Sequence, residues 1–489
     1  MNEQLPALVV VIPLLFSFLI YLMGFIGRRM PYFLLLISSA LTSLSSWKLL
    51  IRVIKEGPIS YHIGGWEPPW GIEYRVDHLN GVLAFVVSLV AFLVILSFRE
   101  RVEKEVEVSR WSQLYALFSL QLCGLLGITV TGDVFNLYVL LEIASFSAYA
   151  MVAIGKKGGE FSAFRYLIFG TIGACCYLLG VGHLYILTGS LNMVDIVNLL
   201  KNLPDSSALR VGLCLLVIGI GVKMALFPLH TWLPDAYSQA PSTVSAFLAP
   251  LATKVAGYVL LRILFWMFKP TFPSEKVLLE ILGWLALIGA FFFSFMAIVQ
   301  RELRRAFCYL LLSEISLLGM GVSSGNLDGL RGAILHLIND VFMMGCLFTS
   351  ICAFIHLFEN EGLKDLEGLG LKNPWVSLGF LIGGLSVIGI PPFGGFFSKW
   401  YLILGTIEGK KWHLLVGLLV SSLINAVLIF KILERIYLKG THLELSKRLP
   451  FCFSVSLLSF SISLLLLGGL ASTIVKKVID PWIFSLGGF

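Results

Sequence analysis

Residues 219–234 read GIGVKMALFPLHTWLP, and this run sets a lysine and a proline inside an apolar stretch. Neither suits a plain transmembrane helix. A lysine at mid-bilayer costs about 2.5–3.5 kcal/mol on insertion scales. Pro228 lacks an N–H and frees a carbonyl one turn earlier. At membrane depth a freed carbonyl must face protein or water. The run therefore predicts a broken helix with a buried cation beside the break. Two further stretches repeat the theme. TVSAFLAPLATKVAGYVLL (243–261) carries Lys254 after Pro250, and GIPPFGGFFSKWYLILG (389–405) carries Lys399 after Pro391, Pro392, Gly394 and Gly395. GDVFNLYVLLEIASFSAYAMVA (132–153) adds an acid, Glu142. Charges at such depth face a polar interior and mark ion or proton pathways. They argue against a receptor, an anchor or a scaffold, which apolar residues would build at lower cost.

Composition fixes the class. Hydrophobic residues make up 57% of the chain and charged residues 13%, with a mean hydropathy of +0.90. Soluble domains carry about 25% charged residues. The expected fold is an all-α membrane protein of about 14 transmembrane helices, a single integral membrane domain over 1–489. At about 20 apolar residues per crossing, the spans are 5–27, 33–54, 78–98, 112–131, 133–154, 162–188, 210–239, 242–268, 277–299, 303–322, 327–358, 374–406, 412–436 and 451–475. The first lacks a basic leader and a small-residue cleavage site, so it reads as a retained span. The +7 net charge follows membrane topology and does not imply nucleic acid. Eight cysteines fall in apolar runs with no CxxC pair. They read as small buried hydrophobes, with no metal site and no cofactor expected in this chain.

Loop charges orient the bundle. With both termini outside, eighteen basic residues face inward and twelve outward, in line with the positive-inside rule. The outer segment 55–77 is the largest loop. The two broken helices are the seventh and twelfth spans. A separation of five spans reverses topology, so two inverted five-helix repeats are expected, over 112–268 and 277–436, flanked by 1–98 and 451–475. Inverted repeats with discontinuous helices at the site are a common transporter design.

The buried charges suggest a relay. Lys223 is the natural partner for Glu142, since a lone buried carboxylate is protonated or paired. When that pair opens, desolvation favours the neutral amine and the proton moves on. Lys254 is the next acceptor, and Lys399 would exchange with one aqueous side. His336, in GAILHLINDVFMMGCLF (332–348), is a relay group or a satisfied core histidine. His230 and Asp235 lie near the inner end of the broken seventh span, as a proton inlet or as caps of short helical pieces.

FNLYVLLEIASFSAYAMVA, KMALFPLHTWLPDAYSQAPSTVSAFLAPLATKVAGYVLLR and GIPPFGGFFSKWYLI resemble the signature helices of antiporter-like subunits. These are shared by Mrp-type cation/proton antiporters, complex I and membrane-bound hydrogenases. The likeness runs from about 75 to 440 and is greatest to the Mrp D subunit. It implies proton-conducting roles for Glu142, Lys223, Lys254, His336 and Lys399. It also implies other membrane subunits as partners, H⁺ and candidate Na⁺ as cargo, and the cell inner (cytoplasmic) membrane as location. Two departures stand out. The resemblance implies a pattern like NHxxxKxxLF, found in many relatives, in the eleventh span, where this chain has NDVFMMGCLF with Asp340 and Met344. The tenth span holds Glu314, in YLLLSEISLLG (309–319), where a glutamine or histidine is expected. Two acids near Lys399 could share a proton or offer oxygen ligands to Na⁺. Three readings stay open: an antiporter subunit, a proton-pumping membrane subunit of an NADH:quinone oxidoreductase or hydrogenase, and a stand-alone secondary transporter. With no Gly-rich nucleotide loop or redox ligand set, an electron-transfer arm would come from other chains.

Overall fold

The computed structural model describes residues 3–155, 158–268, 273–440 and 448–486. Lys156, Lys157, Lys269 and Lys447, which enter the loop-charge count, lie outside them. Thirteen helices among the described residues are long and apolar enough to cross a membrane. In order, the spans are Leu5–Met23, Met30–Glu56, His78–Ser97, Trp111–Val130, Val134–Ala153, Gly159–Thr188 and Ser207–Met224, the last continued by Leu233–Gln239. The eighth, Ser242–Leu261, runs on as a π-helical turn, Arg262–Phe268. Then come Pro273–Val299, Leu303–Ser324 and Leu327–Phe358. The twelfth crossing is made of two 15-residue pieces, Pro374–Ile388 and Gly394–Glu408. Trp412–Leu438 and Phe451–Ile474 complete the fourteen.

Both expected breaks are present, and in each a carbonyl beside the break accepts from a side chain. In the seventh span Ala225 turns left-handed (φ 59°), and the chain does not resume a helix until Leu233. The indole of Trp232 returns to donate to Val222 O at 3.1 Å. In the twelfth span Gly389 takes the left-handed turn (φ 89°), which favours glycine. There the freed carbonyl, Val387 O, accepts from Lys399 Nζ at 2.6 Å. The second half-helix packs so closely on the first that Gly395 has no room for a side chain.

Burial follows the same plan. Inside the eighth, tenth and eleventh spans 94%, 100% and 100% of the apolar window is enclosed by protein, against 39% for the first and sixth. The charged central residues thus sit in the innermost helices. Outer helices turn Phe18, Leu22, Ile172 and Leu179 outward, where lipid is their solvent.

The outer segment 55–77 holds a hairpin, in which β1 (Ile59–His62) pairs antiparallel with β2 (Glu73–Val76), Ile59 opposite Val76. One expectation needs correction. The cysteines are not all buried, since Cys175, Cys214 and Cys452 face outward. In a bilayer the outer surface is as apolar as the core, so hydrophobic context cannot separate the two.

The tight half-helix contact is testable. A Cβ on Gly395 would lie 1.8 Å from Ser386 O, whereas one on Gly182 meets nothing within 4 Å. Gly395→Ala should lower the thermal stability of the purified protein. Gly182→Ala should leave it unchanged or raise it by about 0.5–1 kcal/mol, the helix-interior gain of alanine over glycine. Equal behaviour of the two variants would contradict the packing.

Candidate functional site

The fifth span starts cleanly because Asp133 caps it, accepting from Phe135 N at 2.9 Å and Asn136 N at 2.6 Å. That register sets Glu142, Ser145 and Tyr149 on one face, at i, i+3 and i+7. Lys223 reaches this face from the last turn before the seventh-span break. Its Nζ lies 3.4 Å from Glu142 Oε1, 2.6 Å from Ser145 Oγ and 3.4 Å from the Tyr149 hydroxyl. Glu142 is less enclosed than its place in an apolar run suggests, for 17% of its side chain is exposed.

Five spans further on the arrangement recurs. Lys399, just after the twelfth-span break, lies 3.4 Å from Glu314 Oε1 in the tenth span. Here the pair is enclosed: the Glu314 side chain has no exposed surface. Asn425 Nδ2, from the thirteenth span, donates to the same Glu314 oxygen at 3.1 Å and to Ser313 Oγ at 3.0 Å. Lys399 also donates to Ser422 Oγ at 3.3 Å.

A third pair lies between them. Lys254 Nζ is 3.1 Å from Asp340 Oδ2, joining the eighth and eleventh spans, and donates to Ala249 O at 3.0 Å. Asp340 and His336 are one turn apart on the eleventh span, so they share a face. The His336 ring bridges Ser398 Oγ (3.3 Å from Nδ1) and Glu314 O (3.2 Å from Nε2), with Glu314 Oε2 at 3.6 Å. The acid–lysine pairs and the histidine thus form a line through the middle of the bundle. Its gap, between Lys223 and the eighth span, is a small cavity of about 30 Å³. Lys223, Ser145, Gln121, Ala252, Val255 and Ala256 help to line it. Gln121 Oε1 is buried with no hydrogen-bond partner among the described residues. One water needs roughly 10–15 Å³ and two to four polar partners, so size and chemistry both suit water.

The other predicted residues fall elsewhere. His230 packs its ring against Phe293 (centroids 4.5 Å apart) and Phe227 (5.7 Å). Asp235 is held by Arg165 at 2.5 Å and Arg305 at 3.1 Å, which ties the short helix Leu233–Gln239 to the sixth and tenth spans. Glu314 and Asp340 do not form one shared acidic site, because each has its own lysine. Met344 is buried among apolar side chains. Sequence reasoning missed Ser145, Tyr149, Gln121, Ser398, Ser422 and Asn425. Asn425 had a signal: it is an amide in the apolar middle of the thirteenth span, five spans from the one that carries Lys254.

Residues 131–425 match the family described as NADH:quinone oxidoreductase/Mrp antiporter, TM. "NADH-quinone oxidoreductase subunit N" of Desulforudis audaxviator (strain MP104C) is 38% identical over 502 residues, covering 99% of this chain and 99% of its own. "Putative antiporter subunit mnhD2" of Staphylococcus saprophyticus is 30% identical, over 90% of this chain and 87% of its own. Among solved structures, a chain of the membrane-bound sulfane sulfur reductase, an archaeal respiratory membrane complex, superposes with a TM-score of 0.90 at 28% identity, covering 98% of this chain and 97% of that one. The chain belongs to the NADH:quinone oxidoreductase/Mrp antiporter transmembrane family.

Proposed function

We propose that this chain moves protons across the membrane, as an antiporter-like subunit of a multisubunit complex, along the line of buried ion pairs. The observation that carries this reading is the recurrence: Lys223–Glu142 and Lys399–Glu314 are both 3.4 Å pairs beside a helix break, five spans apart. Opening the first pair takes the counter-charge from a buried ammonium, which can then hand its proton to water in the cavity beside it. Its proton can cross the cavity toward Lys254. Lys254 can share a proton with Asp340, and His336 can accept on one nitrogen while donating from the other. Glu314 and Lys399 receive it at the far end.

The 38% identity to an oxidoreductase subunit N favours a respiratory assembly, with electron transfer carried by other chains. Exchange for Na⁺ is the second reading, supported by the antiporter relative. Loop charges support both termini outside the inner membrane. Purifying the intact complex, identifying its subunits and comparing proton uptake driven by electron transfer with uptake driven by a Na⁺ gradient separates the two.

Three outcomes follow from the geometry. Glu142→Gln should cut proton transport about 100-fold or more, the scale of a lost proton-transfer group, while the complex still assembles. Glu142→Asp should retain part of the rate, since its charge survives on a shorter arm. Normal transport by the glutamine variant sinks the proposal. Lys254→Arg should be nearly as damaging as Lys254→Ala, because guanidinium does not release its proton near neutral pH; an arginine variant that pumps normally would show that charge alone matters. Asp340→Asn should destabilise the protein by about 3–5 kcal/mol, the cost of leaving one buried charge unpaired. The double variant Lys254→Met, Asp340→Leu should regain stability in thermal unfolding yet transport nothing. A double variant as unstable as the single one contradicts the pairing.

A further inference from the structure

The second and fourteenth spans both pack on the third. Between them, at the end of the bundle opposite the chain termini, lies a cavity of about 700 Å³. Ligand sites run from roughly 300 to 1,000 Å³. The short helix Arg99–Glu105, which follows the third span, lines this cavity with Arg99, Glu100, Glu103 and Lys104. At spacings of three and four these residues share one face. The opposite face is turned inward. Arg101 Nε donates to Ser242 Oγ at 3.3 Å, and Glu105 Oε2 accepts from Ser242 N at 2.8 Å, at the start of the eighth span. Tied down on its inner side, the helix holds its outer charges in place.

Two of those charges are positive and two negative. Arg99 Nε lies 3.1 Å from Glu103 Oε1, and its guanidinium carbon lies 5.6 Å from the Tyr32 ring centroid and 5.5 Å from that of Phe33. Lys104 Nζ lies 3.3 Å from Nε2 of His356, on the eleventh span, and Glu100 Oε2 lies 4.0 Å from the same nitrogen. The Arg99, Glu103 and Glu100 side chains keep 30%, 35% and 57% of their surface open, so a ligand can reach them. Two apolar tracks lead away from the cavity. Phe33, Ile37, Leu41 and Leu44 are exposed along the second span, and Phe451, Leu458, Ile462 and Leu465 along the fourteenth. Each set keeps the spacing of one helical stripe.

In a bilayer, lipid chains cover both tracks, and the headgroup above them meets the four charges. A purely anionic headgroup would face two carboxylates. A choline headgroup has no N–H to offer them. A headgroup with a phosphate and a primary ammonium answers both signs with charge-assisted hydrogen bonds, which are roughly twice as strong as neutral ones. We propose that this cavity binds a zwitterionic aminophospholipid of the phosphatidylethanolamine class. Its phosphate lies on Arg99 and Lys104, its ammonium on Glu100 and Glu103, and its acyl chains along the second and fourteenth spans. The site lies apart from the line of ion pairs and does not depend on the proposed function.

Cys452 lines the cavity and is exposed, so it reports occupancy. The test follows its alkylation by a small maleimide, read by peptide mass spectrometry, in the intact complex held in detergent while one lipid is added. Phosphatidylethanolamine should protect Cys452 at about one tenth of the concentration that phosphatidylcholine needs, the worth of one hydrogen bond to a charged group. Glu100→Gln and Glu103→Gln together should erase that preference and make anionic phosphatidylglycerol the best protector. Arg99→Gln should weaken protection by phosphatidylethanolamine and phosphatidylcholine alike. Soluble glycerophosphoethanolamine, the headgroup without chains, should protect only at far higher concentration. Equal protection of the unmodified protein by phosphatidylethanolamine and phosphatidylcholine overturns the proposal without recourse to any variant. A double variant that assembles on native gels and keeps the preference overturns it too, as does best protection of the unmodified protein by phosphatidylglycerol. Protection by the soluble headgroup at the lipid's own concentration overturns a lipid as the ligand.

Discussion

An ammonium group in a dry protein interior must have a counter-charge or lose its proton, and most of this molecule can be understood from that constraint. Three lysines occupy the middle of the bundle, and each has a carboxylate within 3.4 Å. Each pair joins two different spans, so the charges also act as cross-ties between helices that are distant in sequence. The spans that carry Lys254, Glu314, His336 and Asp340 are the most enclosed of all. A ring of lipid-facing helices keeps water from reaching them by any route the protein does not provide.

The two halves are not equivalent. Glu142 keeps part of its side chain exposed, while Glu314 is sealed and further bonded by Asn425. The first pair therefore depends on what lies beside the fifth span, whether lipid or a neighbouring subunit. The second pair is enclosed within the chain. Asp340, on the eleventh span, lies 3.1 Å from Lys254. It supplies the counter-charge that the central lysine needs.

The fold was largely legible in the sequence because hydrocarbon imposes a length and a polarity on every crossing. Fourteen runs of adequate length, two of them read as broken beside proline, give fourteen crossings with two breaks. The Glu142–Lys223 pair was legible for the same reason, since two costly charges in neighbouring apolar spans need each other. Partner choice in the second half was not legible. Whether Glu314 meets Lys399 or Lys254 depends on helix rotation and tilt, which hydropathy does not encode. The cavity beside Gln121, the β-hairpin and the outward-facing cysteines escaped for a related reason: they depend on which face of an element meets protein and which meets solvent or lipid.

The two breaks differ in what holds them open. Val222 O is capped by the neutral indole of Trp232, so the seventh-span break is a fixed joint, indifferent to the charge on Lys223. Val387 O is capped by Lys399 itself. A charge-assisted hydrogen bond is roughly twice as strong as a neutral one, so the twelfth-span joint stiffens when Lys399 is protonated and slackens when it is not. Backbone geometry on that side of the molecule is thereby tied to the occupancy of a single proton, and one half of the bundle carries a latch that the other half lacks.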